Sequence, residues 1–93
     1  MKPTTNPTSS LLKVRILSPR EVIFQGEALS VSSKNSFGDF DILPFHANFI
    51  SLIENNVIRI IKANRQLTTF AVPFAILYQS NNTVNIYTDI KFK

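Results

Sequence analysis

The chain contains no cysteine and a single histidine, His46. Disulfides and thiolate-held metals are therefore excluded, and so is a cluster of histidine ligands. The lack of cysteine fits a reducing compartment. Glycine is nearly as scarce, with two in 93 residues. No glycine-rich phosphate loop can be drawn, and neither GxSxG nor HExxH occurs. No carboxylate pair stands beside a nucleophile, so the residues point to no catalytic centre and to no cofactor. Long hydrophobic runs are missing too. FAVPFAILY, residues 70–78, is the longest nearly apolar stretch. It is far shorter than the roughly 20 residues of a membrane-crossing helix. MKPTTNPTSS at the start has a lysine but no apolar segment behind it. No signal peptide is expected, and the reading is a soluble protein kept inside the cell.

Basic charge is present but not concentrated. The net charge is +4. Lys2, Lys91 and Lys93 lie in the end segments, and without them seven basic residues face six acidic ones. Lys13, Arg15, Arg20, Lys34, Arg59, Lys62 and Arg65 are spread along the body and mixed with acids. A nucleic-acid binder should show a basic stripe interleaved with exposed aromatics. The near-neutral body argues against nucleic acid as a partner.

What the chain does have is alternation. Hydrophobic residues make up 44%, enough for one packed core in a chain of this length. Residues 1–10 read as a flexible polar tail, 11–90 as the folded domain and 91–93 as a basic tail end. In LLKVRIL (11–17), Leu12, Val14 and Ile16 share one face. EVIFQ (21–25) sends Val22 and Phe24 inward, with a bend at Gly26. EALSVSSK (27–34) alternates Leu29 and Val31 with serines. DFDIL (39–43) alternates acid with Phe40 and Ile42. NFISLI (48–53) is apolar throughout, as suits a segment covered on both sides. NVIRIIK (56–62) follows a turn expected at Asn55-Asn56. ANR (63–65) and SNN (80–82) read as hairpin turns around QLTTFAV, Pro73 and FAILYQ. TVNIYTDI (83–90) closes the set. Asn81-Asn82-Thr83 also matches a glycosylation sequon, but the turn reading is preferred.

β-Branched and aromatic residues fill these runs, and turn signals recur at the spacing of an all-β fold. The expected fold is an antiparallel β-sandwich of about eight to ten short strands. Its core should hold Val14, Ile16, Phe24, Val31, Phe40, Ile42, Ile58, Ile60, Phe70, Ile76, Val84 and Ile86.

One stretch stands apart: GDFDILPFHANFI, residues 38–50. It holds one of the two glycines, the histidine, a proline and three phenylalanines. Asp39 and Asp41 are two apart on a strand and share a face. Two carboxylates fall short of the about six oxygens a hard cation needs, so a solvated face is expected and no metal site. His46 has no nucleophile or carboxylate partner nearby in sequence, so it reads as a loop residue that hydrogen-bonds a neighbour.

Several pieces, in order, resemble one family. They are KVRILSP, VIFQGEALSV, GDFDILPFHANFI, NNVIRI and FAILYQSNNTVNIYTD. Together they resemble the amino-terminal β-sandwich of the epsilon subunit of the F-type ATP synthase, across about residues 11–90. The central signature, an acid and an apolar pair followed by Pro-Gly-His-Ala, is the specific part. Phe45 stands where the family has glycine. A non-glycine residue at positive φ costs on the order of 1 kcal/mol, so the loop either carries that strain or changes shape. Phe74 and Ala75 replace a family glycine pair, and Asn55-Asn56 a Pro-Gly turn.

The resemblance implies a non-catalytic rotor subunit of a proton-translocating complex. It would couple rotation of the c-ring to the catalytic head through the gamma subunit. It implies a peripheral position on the cytoplasmic face of an energy-converting membrane. It implies that Gly38, Asp39, Asp41, Pro44, Phe45 and His46 form a loop facing the c-ring and gamma. Ser18 and Ser51 fall on a side that would face gamma. The family commonly carries two helices after the sandwich. The sequence stops at KFK, so the inhibition and ATP sensing tied to those helices are not expected here. Two other readings stay open: a stand-alone β-sandwich binding module, and an epsilon-like paralogue with another protein partner.

Overall fold

The computed structural model describes residues 11–88. The expected tails at 1–10 and 91–93 lie outside the described residues. Six strands follow in chain order: β1 (Leu12–Leu17), β2 (Val22–Asn35), β3 (Gly38–Ile42), β4 (Phe49–Lys62), β5 (Leu67–Ser80) and β6 (Thr83–Thr88). They form one sheet in the order β1-β6-β5-β4-β2-β3. A further pairing of β1 with β2 brings the sheet back on itself. Five strands thus complete a circuit, and β3 extends from the far half of β2. All pairings are antiparallel except β1 with β6, which is parallel.

The expectation of eight to ten short antiparallel strands is corrected to six, with β2, β4 and β5 each 14 residues long. Breaks in the sequence pattern were counted as strand ends, but the ladder runs through them. Asn55-Asn56 is no turn. Asn55 takes φ 49° inside β4, and pairing resumes at once with Asn56 opposite Val72. Gly26 likewise sits inside β2, opposite Val14.

The middle of the β4–β5 hairpin explains how long strands serve two layers. Glu54 pairs with Phe74 and Asn56 with Val72, which sets Asn55 across from Pro73. On β4 the inward residues are Ser51 and Ile53 before this level, and Ile58 and Ile60 after it. On β5 they are Val72 before it and Ala75, Leu77 and Gln79 after it, with Pro73 and Phe74 both outward. Both strands change phase together, so register is kept while the buried face swaps sides. Pro73 donates no hydrogen bond, and asparagine tolerates positive φ, so this pair suits the bend.

The core is Leu12, Val14, Ile16, Ala28, Val31, Ile42, Ile53, Ile58, Ile60, Val72, Ala75, Leu77, Val84 and Ile86. Phe24, Phe40 and Phe70 pack against it, half-buried. Phe24 meets Phe70 at 5.6 Å between ring centroids, and Phe40 meets Phe49 at 5.1 Å. Ile76 was expected inside but is 39% exposed. The phase change at Pro73 turns it outward and brings Leu77 in. Val22 is exposed because the β1–β2 register slips between Ile16 and Leu17. Leu29 lies in a second bulge and is only half-buried, while Ala28 fills the core.

Candidate partner interface

The GDFDILPFHANFI segment forms β3, the β3–β4 loop and the start of β4. Asp39 and Asp41 point outward and Phe40 and Ile42 inward, as alternation requires. Asp39 faces Lys34 across the β2–β3 ladder, and Asp41 faces Ser32, whose hydroxyl donates to the Asp41 carboxylate. Asp39 also edges a shallow depression with Lys34, Arg59 and the Asn55–Pro73 bend.

The loop itself carries strain. Phe45 adopts φ 66°. A proline followed by a residue at positive φ is the pattern of a type II turn, which favours glycine second. The loop keeps that geometry with phenylalanine. The Phe45 N–H donates to Asn82 Oδ1 at 2.6 Å, across 37 residues. Asn82 belongs to the β5–β6 turn, where Asn81 and Asn82 both take positive φ, 51° and 58°. Two positive values in a two-residue loop mark a type I′ hairpin. The second turn is thus a firm post to which the first is tied. The Phe45 ring is left 72% exposed. His46, Ala47 and Asn48 are exposed beside it.

The expected site residues do not all converge. Asp41, Pro44, Phe45 and His46 gather at the end of β3 nearest the Asn81-Asn82 turn. Gly38 lies about 10 Å and Asp39 about 7 Å along the strand from Asp41, toward the other end, at ~3.3 Å per residue. There the β2–β3 turn exposes Phe37.

Ser18 and Ser51 fall differently. The Ser18 hydroxyl accepts from the N–H groups of Arg20 and Glu21 and donates to the Glu21 carbonyl, so it shapes the β1–β2 turn. Ser51 is buried and accepts from Asn35 Nδ2 at 3.0 Å. Alternation places Ser51 inside and exposes its neighbours, Ile50 and Leu52. The outward residues at this end of the strand are Ile50 and Leu52.

Those neighbours open onto a feature that sequence reasoning missed. Ile50 pairs with Tyr78, Leu52 with Ile76, and Ile76 with Tyr87. All five are large, apolar or aromatic, and exposed, with Ile50 at 67%. Phe74 extends the patch one row further. The uniformly apolar NFISLI was the available signal: its segment was read as covered on both sides, and this chain covers one. Asn82 gave no signal beyond its turn.

Residues 11–91 match the model of the ATP synthase delta/epsilon chain beta-sandwich domain. The chain belongs to this family. Relatives carry the name ATP synthase epsilon chain. That of Sulfurimonas denitrificans is 37% identical over 68 residues, 73% of this chain and 52% of its own length. That of Wolinella succinogenes is 32% identical over 79 residues, 85% of this chain and 60% of its own. The chain therefore spans about half to three-fifths of these epsilon chains. Among solved structures, a chain of the Euglena gracilis mitochondrial ATP synthase with its c-ring superposes with TM-score 0.79 at 11% identity, covering 85% of this chain and 51% of that one. A chain of the central stalk and c-ring of the Tetrahymena thermophila enzyme gives 0.69 at 13%, covering 84% and 63%. At such identity the structures establish a shared fold. The family's beta-sandwich domain accounts for the all-β fold.

Proposed function

We propose that the chain is a non-catalytic central-stalk subunit of a rotary, proton-translocating ATP synthase. It couples rotation of the c-ring to the catalytic head through the gamma subunit. Family membership over nearly the whole described domain is the observation that carries this reading. The geometry supports it in two places. The β3–β4 loop is tied to the β5–β6 turn by the Phe45–Asn82 hydrogen bond and offers an exposed ring, with His46 beside it and Asp41 at the same end of β3. Exposed aromatics are frequent anchors at protein interfaces, and fixed carboxylates select basic partner loops. This loop is assigned to the c-ring. The apolar sheet face of Ile50, Leu52, Ile76, Tyr78 and Tyr87 is assigned to gamma, because a contiguous apolar patch of this kind marks an interaction surface.

The role is mechanical. A sheet closed by the β1–β2 pairing has no hinge between its two contact surfaces, so torque entering at one leaves at the other. The chain would sit peripherally, on the cytoplasmic face of the energy-converting membrane. No helix among the described residues is long and apolar enough to cross a membrane. The test is recovery of the tagged chain from a native detergent extract. The expected result is co-purification of gamma and c subunits. A well-folded chain that recovers neither would remove the rotor assignment.

A further inference from the structure

Gln79 is the anomaly of the interior. It lies on the inward face of β5, paired with Phe49 on β4 and Val84 on β6, and it is fully buried. Neither its Nε2 nor its Oε1 has a hydrogen-bond partner among the described residues. Leaving a buried amide unmatched is costly, and an apolar side chain of similar volume would avoid the cost. Gln79 also lines a cavity of about 190 Å³. The other walls are Phe40, Asp41 and Ile42 of β3, Phe49 of β4 and the loop residues His46, Ala47 and Asn48. An unmatched donor and acceptor thus meet a cavity directly under the loop assigned to a partner.

We propose that this cavity is a socket for one amide group carried by a protein partner, with Gln79 as its two-point hydrogen-bond mate. The occupant follows from size and chemistry. Sites for whole small molecules run to roughly 300–1,000 Å³, so this one suits a single side chain or peptide edge. A primary amide offers an N–H donor and a C=O acceptor. Another amide satisfies both at once and stays neutral in the apolar walls. The tilted Phe40–Phe49 pair supplies flat apolar walls for its plane. Because Gln79 is covered in the free chain, the incoming amide reaches it as residues 43–48 lift. That couples docking on the loop to a contact in the core. The partner's identity rests on the rotor reading above; the socket itself does not.

The test is an NMR titration of the intact chain with two probes, N-acetylglycine N-methylamide for a peptide edge and propionamide for a side-chain amide. Expected is a saturable shift of the Gln79 side-chain NH₂ signals together with the Phe40 and Phe49 rings. The better probe identifies the source of the amide. Gln79→Met should weaken that binding at least tenfold. It should also raise the melting temperature by several degrees, the response of a small domain to a stabilisation of about 1 kcal/mol. Shifts that never saturate in the unaltered chain, or that persist in Gln79→Met, overturn the socket. Retention on purified c-ring and gamma separates the two ideas. Tenfold weaker retention of Gln79→Met supports the socket, and equal retention of both chains counts against it. If the unaltered chain is not retained at all, the rotor reading fails and the titration alone decides the socket.

Discussion

Two turns flank β3, and each presents an exposed phenylalanine beside a positive φ. In the β2–β3 turn, Phe37 is 98% exposed and the positive φ, 125°, belongs to Gly38. The Asn35 side chain accepts from the Phe37 N–H at 2.8 Å and, through its Nδ2, donates to Ser51 of β4 at 3.0 Å. In the β3–β4 loop the phenylalanine itself carries the positive φ, and the restraint comes from Asn82 on another hairpin. One turn places its positive φ on a glycine, which adopts it without strain. The other is strained and tied to a distant element. Strain held in place by surrounding structure concentrates at functional sites, which is why the Phe45 loop, and not the Phe37 turn, is assigned to the ring.

The contrast can be broken in order of expected effect. Gly38→Ala should destabilise the domain by about 1–3 kcal/mol in chemical denaturation, since the backbone there is one only glycine adopts readily. No atom lies within 4 Å of the added Cβ, so the loss would be conformational and not steric. Asn82→Ala should cost about 1–2 kcal/mol through the lost tie and the weaker turn residue. It should also speed proteolysis within residues 43–48. Phe45→Gly should do the reverse for stability, a gain of about 0.5–1 kcal/mol after the entropic cost of glycine, while weakening retention on the ring about tenfold. Phe37→Ser should change neither by more than about 0.5 kcal/mol. If Phe37→Ser weakens ring retention as much as Phe45→Gly, the two turns are not functionally distinct.

Much of this fold can be read along the chain. The alternation of Leu12, Val14 and Ile16, and of Val84 and Ile86, places each on the correct face. The hairpin turns at Ala63–Arg65 and Asn81-Asn82 are read from local chemistry. What alternation cannot show is a change of phase. Asn55 and Pro73 resemble strand ends because each disfavours regular extended structure. Only the opposing strand reveals that the two irregularities face each other and cancel in register. That is why Ile76 was counted inside and Leu77 was not. The candidate site divides along the same line. Its central residues are legible because they are consecutive. Asn82 and Gln79 come from elsewhere in the chain, and nothing in their neighbours marks them as facing the loop. Ser51 was expected on a gamma-facing side from the family resemblance alone, and in the fold it is buried beside Asn35.

The most direct test of the account uses the absence of cysteine, since any introduced thiol is the chain's only one. Phe45→Cys and Tyr78→Cys would each be placed in the assembled complex and cross-linked with a short thiol-directed photoreagent. The account predicts that Phe45→Cys joins a c subunit and Tyr78→Cys joins gamma. Both thiols joining the same subunit, or neither joining either, would contradict a rigid sandwich with one face on the ring and another on the shaft.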